Sequence, residues 1–173
     1  MDLEKFIRDV PDFPKKGIIF KDITPLLSNC EALHEAVEQL AKPYQGRGIE
    51  IVAGIESRGF IFGGLVAQKL GAGFVPIRKL GKLPYKTLRE SYQLEYGSDS
   101  VEIHADAVKP GQKVLMVDDL LATGGTMSAA CKLVEGLGGA VAATVFVIEL
   151  SFLNGRDKLS SYEIHSLIKV KGE

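Results

Sequence analysis

The chain predicts an α/β fold, a mostly parallel sheet flanked by helices. Three observations carry that prediction. Short apolar runs alternate with stretches of helical periodicity, the helical stretches end at glycine or before proline, and the run 114–117 leads through two carboxylates into a small-residue loop. Strands alternating with helices build crossover units that cover both faces of a parallel sheet. At 173 residues the chain fits one domain, 1–173, with length enough for a real core.

The elements follow in order. Leu33, Ala36, Val37 and Leu40 recur at helical spacing, which places a helix over about 30–41, stopped before Pro43. Residues 49–55 read as a strand, 57–70 as a helix closed by Gly71, and 73–77 as a second strand. Val114, Leu115, Met116 and Val117 form a buried strand whose end is marked by Asp118 and Asp119. Met127, Ala130, Cys131, Val134 and Leu137 give the next helical stripe, ended by Gly138-Gly139. Strands over 141–148 and 164–170 complete the sheet. Residues 79–105 break the pattern with a long polar loop carrying an alternating run, Tyr92 to Tyr96, a turn at Gly97-Ser98-Asp99, and a return through Val101-Glu102-Ile103. That is a hairpin on an inserted loop; inserted loops of this size in compact domains are functional lids or disordered, and the alternating tyrosines argue for some order.

Bulk properties exclude several functions. A formal net charge of −1 gives no general drive toward nucleic acid or an anionic membrane. The longest apolar run, 140–148, is far short of the roughly 20 residues a spanning helix needs. Residues 1–5 have mixed charge and no apolar core, so they make no secretory signal. Cys30 and Cys131 fit no metal spacing, and Cys131 belongs on a buried helix face as a reduced thiol. His34, His104 and His165 read as structural or surface groups. The expectation is a cytoplasmic protein without nucleic-acid or membrane partners.

Chemistry concentrates in Asp118-Asp119-Leu120-Leu121-Ala122-Thr123-Gly124-Gly125-Thr126. A loop offering N–H groups, two hydroxyls and two glycines at a helix N-terminus suits a phosphate, because orphan N–H groups and the helix dipole both favour an anion. The carboxylates would repel a phosphate and suit sugar hydroxyls or a hydrated metal instead. Together they point to a ribose phosphate. There is no G-x-x-x-x-G-K-[ST] and no G-x-G-x-x-G after a strand, against a Walker A or dinucleotide site. A second strand-to-helix turn, Gly54-Ile55-Glu56-Ser57-Arg58-Gly59-Phe60, can seat a second anion, with Arg78, Lys79 and Lys82 as a basic complement. Read alone, Ser57 is an N-cap and the basic residues a solvated edge.

The Asp-Asp-to-Thr126 run resembles the signature of the type I phosphoribosyltransferases, which bind 5-phosphoribosyl-1-pyrophosphate (PRPP). With Gly17-x-x-Phe20-x-Asp22-Ile23-Thr24-Pro25, Ser57-Arg58-Gly59-Phe60 and Leu94-Glu95-Tyr96-Gly97 in the same order, the chain is similar to the adenine-using branch of that family over about residues 6–149. The resemblance implies that fold, with a purine-binding segment at about 1–28 and a lid at about 79–105. It implies transfer of the phosphoribosyl group from PRPP to adenine, giving AMP and pyrophosphate. Mg²⁺ would be held mainly by PRPP and water rather than by direct protein ligands. Asp118 and Asp119 would hold ribose hydroxyls; Ala122, Thr123, Gly124, Gly125 and Thr126 the 5′-phosphate; Glu56, Ser57, Arg58, Arg78, Lys79 and Lys82 the pyrophosphate side. Phe20 would stack on the base, with main-chain groups of Ile19 and Lys21 reading its edge, Leu120 and Leu150 walling the pocket, and Arg58 reaching toward it. Glu95 would assist proton loss from the purine and Tyr96 would cover the site. Two departures are local: Leu83-Pro84-Tyr85-Lys86-Thr87 is bulkier than glycine-bearing lids, and Lys21 replaces an arginine. The competing readings are a hypoxanthine or guanine transferase and a non-catalytic PRPP-sensing regulator. The apolar run Phe60, Ile61, Phe62, Leu65, Val66 exceeds what one helix face can bury on a single sheet, so a homodimer is expected, as in relatives.

Overall fold

The computed structural model describes residues 1–94 and 97–172. A 3₁₀ turn, Leu3–Phe6, opens the chain, followed by β1 (Arg8–Pro11) and β2 (Ile19–Asp22), which pair antiparallel as a small sheet of their own. Then come α1 (Thr24–Ser28), α2 (Cys30–Ala41), β3 (Ile51–Ile55), α3 (Gly59–Leu70), β4 (Gly73–Lys79), β5 (Thr87–Gln93) and β6 (Ser98–His104). The remainder is β7 (Lys113–Leu121), α4 (Gly125–Gly136), β8 (Ala140–Leu150), two short 3₁₀ turns and β9 (Ile164–Val170). The main sheet runs β5-β6-β4-β3-β7-β8-β9. Its five central and right-hand strands are parallel, and the β5–β6 hairpin is antiparallel.

Both faces are covered, as the alternation predicts. On one face α1, α2 and α3 pack Leu26, Ala36, Leu40, Phe62 and Val66 onto Leu115, Val117 and Val145. On the other, α4 packs Met127, Ala130, Cys131 and Val134 onto Ala53, Met116 and Phe146. Each large side chain so buried contributes about 1.5–3 kcal/mol. Asn29 starts α2 by accepting from the Ala32 N–H at 2.9 Å, and left-handed Gly71 (φ +68°) ends α3.

The structure departs from these expectations in several places. The small β1–β2 sheet was not foreseen. β7 extends through both carboxylates to Leu121, because its parallel pairing with β8 continues to Leu121 and Glu149. The hairpin lies earlier than expected: Leu88, Glu90 and Tyr92 form its inward face, with Leu88 fitted against Gly136 of α4, while Leu94 is exposed. It is also no free insertion, since Arg78 and Lys79 of β4 pair with Glu102 and Val101 of β6. Finally, α3 sends Phe62 and Val66 fully inward and begins at Gly59 rather than at Ser57.

Candidate active site

Parallel strands deliver their following loops to one edge of the sheet, so the loops after β3, β4, β7 and β8 meet there. Gly59 locks two of them together. A Cβ at Gly59 would lie 2.8 Å from Asp118 Oδ1 and 3.0 Å from the Val117 carbonyl, so only glycine lets the β3–α3 turn abut β7.

The β7–α4 loop is a cradle of N–H groups. Gly124 precedes α4 with φ +79°, no side chain caps the helix, and the first helical bond runs from the Ser128 N–H to the Gly124 carbonyl at 3.0 Å. The N–H groups of Gly125, Thr126 and Met127 therefore come before the helical ladder begins. They line, with Asp118, Leu120, Ala122 and Thr123, a cavity of about 80 Å³. Uncapped N–H groups around a small cavity at a twelve-residue helix make an anion seat.

The β3–α3 turn carries a different electrostatic unit. Glu56 receives Arg78 Nε at 3.3 Å and Nη2 at 3.2 Å, Lys82 Nζ at 2.7 Å and the Lys79 N–H at 3.0 Å. Burial alone raises the Glu56 pKa, but the hydrogen bonds from Lys82, Arg78 and the Lys79 N–H outweigh it and hold the carboxylate at about 2. The Glu56–Ser57 peptide is cis, and Ser57 is exposed. Lys79 itself turns away, pairing with Asp99 and bonding the Tyr92 hydroxyl at 2.8 Å, so its ammonium belongs to the hairpin here.

Arg58 joins the two loops to the small N-terminal sheet. Its Nε lies 2.9 Å from Asp119 Oδ2, and its guanidinium carbon sits 5.0 Å above the centre of the Phe20 ring. Phe13 meets the Phe20 ring edge-on at 5.2 Å, and Lys21 reaches across the small sheet to Asp9 at 2.7 Å. Asp119 is 4% exposed, and Asp118 is half-buried. Burial, then the charge of Asp119, push Asp118 well above the usual carboxylate range; burial also raises Asp119, against the pull of Arg58. The pair therefore gains by receiving donors such as hydroxyls.

The structure thus brings together Phe20, Glu56, Arg58, Arg78, Lys82, Asp118, Asp119 and the 122–126 loop. Leu120 lines the loop cavity, while Leu150 is half-buried at the end of β8. Glu95 and Tyr96 lie outside the described residues, between Leu94 and Gly97, whose backbones bond at 2.9 Å. Sequence reasoning missed Phe13 and the ion pair of buried Glu149 with the partly exposed Arg156, whose two hydrogen bonds are each 2.7 Å. The turn dipeptide Asn154-Gly155 was the available signal for the second.

Comparison with known proteins places these features in company. Residues 24–170 match the family model described as the phosphoribosyl transferase domain. A protein of Nitrosococcus oceani named adenine phosphoribosyltransferase is 60% identical over 166 residues, 96% of this chain and 97% of that one. The crystal structure of adenine phosphoribosyltransferase from Thermoanaerobacter pseudethanolicus superposes with a TM-score of 0.95 at 57% identity, covering 98% of both chains. The Saccharomyces cerevisiae adenine phosphoribosyltransferase, complexed with an imino-altritol bisphosphate and adenine, superposes at 0.89 with 41% identity over 96% of each chain.

Proposed function

The chain belongs to the phosphoribosyltransferase family, and from that premise we propose how its residues carry out the reaction of the adenine-using branch. That reaction joins adenine to PRPP and yields AMP and pyrophosphate, a step of purine salvage. The observation that carries the residue-level reading is the contiguity of the uncapped α4 loop, the Asp118–Asp119 pair and the Arg58–Phe20 stack.

The 5′-phosphate rests on the N–H groups and hydroxyls of residues 122–126, and the ribose hydroxyls donate to Asp118 and Asp119. The pyrophosphate lies toward Ser57, Arg58, Arg78 and Lys82, with Lys79 joining if it leaves Asp99. Adenine stacks on Phe20, and the unpaired edge of β2 at Ile19 and Lys21 offers main-chain groups to its polar rim. Leu120 and Leu150 wall the pocket. As purine N9 attacks C1′, the bond from C1′ to pyrophosphate breaks, the sugar gains oxocarbenium character, and the N9 proton leaves. Glu95 takes that proton directly or through N7–N9 tautomerism, with Tyr96 covering the site, so catalysis rests on positioning and on charges placed where charge develops.

Among the described residues no three His, Cys, Asp or Glu side chains are arranged to hold a metal. The donor chemistry present, the carboxylates of Asp118 and Asp119 beside an anion cradle, fits a hydrated Mg²⁺ arriving with PRPP, which would supply neutralisation of charge on the pyrophosphate. We assign the chain as a single domain, 1–173, with a purine-binding segment at about 1–28 and a lid drawn from 79–105, whose closure keeps water from the activated sugar. The proposed working form is a cytoplasmic homodimer. Among the described residues no helix is long and apolar enough to cross a membrane.

A hypoxanthine or guanine transferase would present a lysine to the purine 6-oxo group, and Leu120 and Leu150 stand there instead. Incubating the protein with PRPP, Mg²⁺ and adenine, hypoxanthine, guanine or orotate, then identifying products, tests the assignment. AMP from adenine supports it. PRPP binding without turnover of any base would favour the regulator reading.

A further inference from the structure

The 3₁₀ turn Gly155–Leu159 presses on the β7–α4 loop from behind. Gly155 has no left-handed φ, yet it has no room for a side chain: a Cβ there would collide with the Ala122 carbonyl oxygen and lie 2.9 Å from Leu121 Cδ1. A Cβ on Gly124 would in turn collide with the Gly155 carbonyl oxygen. Backbone therefore meets backbone at the two residues that shape the anion seat. Leu159, fully buried, pins one end of the turn.

The other end is held by charge. Arg156 donates from Nε and Nη2 to the two oxygens of Glu149, each at 2.7 Å, in the fork-to-fork geometry that fixes orientation best. Glu149 is 4% exposed and also receives the hydroxyls of Ser166 and, at 3.4 Å, Ser151. It lies in register with Leu121 on β7, so the carboxylate sits beside the strand end that feeds the loop. None of these residues reaches a proposed substrate group.

We propose that Glu149 and Arg156 are positioning residues for the 5′-phosphate: they seat Gly155 against Ala122 and Gly124 and so fix the loop whose N–H groups hold that phosphate. This rests on the reading of residues 122–126 given above. A seat displaced by a fraction of an ångström loses donors aimed at the phosphate, whereas Phe20, the stacking face of the adenine slot, stands on β2 outside these elements.

Steady-state kinetics on the full-length protein test this. Gly155→Ala, which changes no charge, and Arg156→Lys, which keeps the charge but loses the fork, should raise KM for PRPP by about ten- to a hundredfold. KM for adenine should change far less, and inorganic pyrophosphate should bind as in the parent. Ser166→Ala should shift KM for PRPP in the same direction by a smaller factor. Unchanged KM for PRPP in folded variants, or equal weakening toward both substrates, overturns the proposal. Thr126→Val, which removes a hydroxyl from the seat itself, separates the two levels of inference. If it weakens PRPP while Gly155→Ala does not, the positioning role fails alone; if neither weakens PRPP, the phosphate seat was assigned to the wrong loop.

Discussion

Arg58 ties together what each neighbour needs. Its ion pair with Asp119 and its stack on Phe20 place one cation between the proposed sugar, leaving-group and base positions. The task proposed for Glu95 is a single one, to receive the purine proton. Glu95→Ala should therefore lower kcat by roughly ten- to ten-thousandfold while PRPP binding falls much less. Turnover at the parent rate would remove the role. Two other carboxylates set the response to acid. Glu56 and Glu149 are each held at about 2, from a usual 4.5, by their cationic partners. Depressed carboxylate pKa values mean stability present in full above about 4.5 and lost as pH falls toward 2. Thermal melts should thus decline across that window. Glu149→Gln should lower the melting temperature at pH 7 and flatten the decline, since its share is already gone. An unchanged acid profile would contradict that assignment.

At the level of elements, close approach decides the site. Gly54 on β3 has Phe74 Cε2 2.7 Å and the Gly59 carbonyl oxygen 2.9 Å from where a Cβ would stand. Gly54→Ala should push α3 outward, cost about 1–3 kcal/mol in denaturant unfolding, and raise KM for PRPP through the displaced 56–58 turn. Parent-like stability would show that α3 adjusts freely. The same contacts explain what the sequence made legible. The helices at 30–41 and 125–136 and the strand at 164–170 announce themselves through apolar periodicity, and the anion loop through its glycines and hydroxyls. The β1–β2 pair carries no such pattern, because a two-stranded sheet on the surface has no face to bury in full. The alternation read over 92–96 placed the first hairpin strand too late, since the strand runs Thr87–Gln93 with Leu88, Glu90 and Tyr92 facing α4. Arg156 was legible only through the Asn154-Gly155 turn, which brings it back to Glu149.

For the whole molecule, two properties follow from surfaces and pockets rather than from single contacts. Phe60 packs edge-on with Phe74 at 5.9 Å, yet Ile61 on α3 and Phe74 on β4 remain 41% and 38% exposed. Exposed apolar side chains on α3 and β4 fit the proposed two-fold interface. Ile61→Asp should convert the protein to monomers in sedimentation velocity at micromolar concentration and reduce activity. A fully active monomer of the unmodified chain would remove the dimer from the account.

Selection of adenine is the work proposed for the base slot. Relative kcat/KM for adenine and hypoxanthine, measured at saturating PRPP and Mg²⁺, tests it most directly. The proposed apolar wall at Leu120 and Leu150 would leave the 6-oxo group of hypoxanthine without a donor, so the ratio should favour adenine by at least about a hundredfold. Equal turnover of the two bases would contradict it.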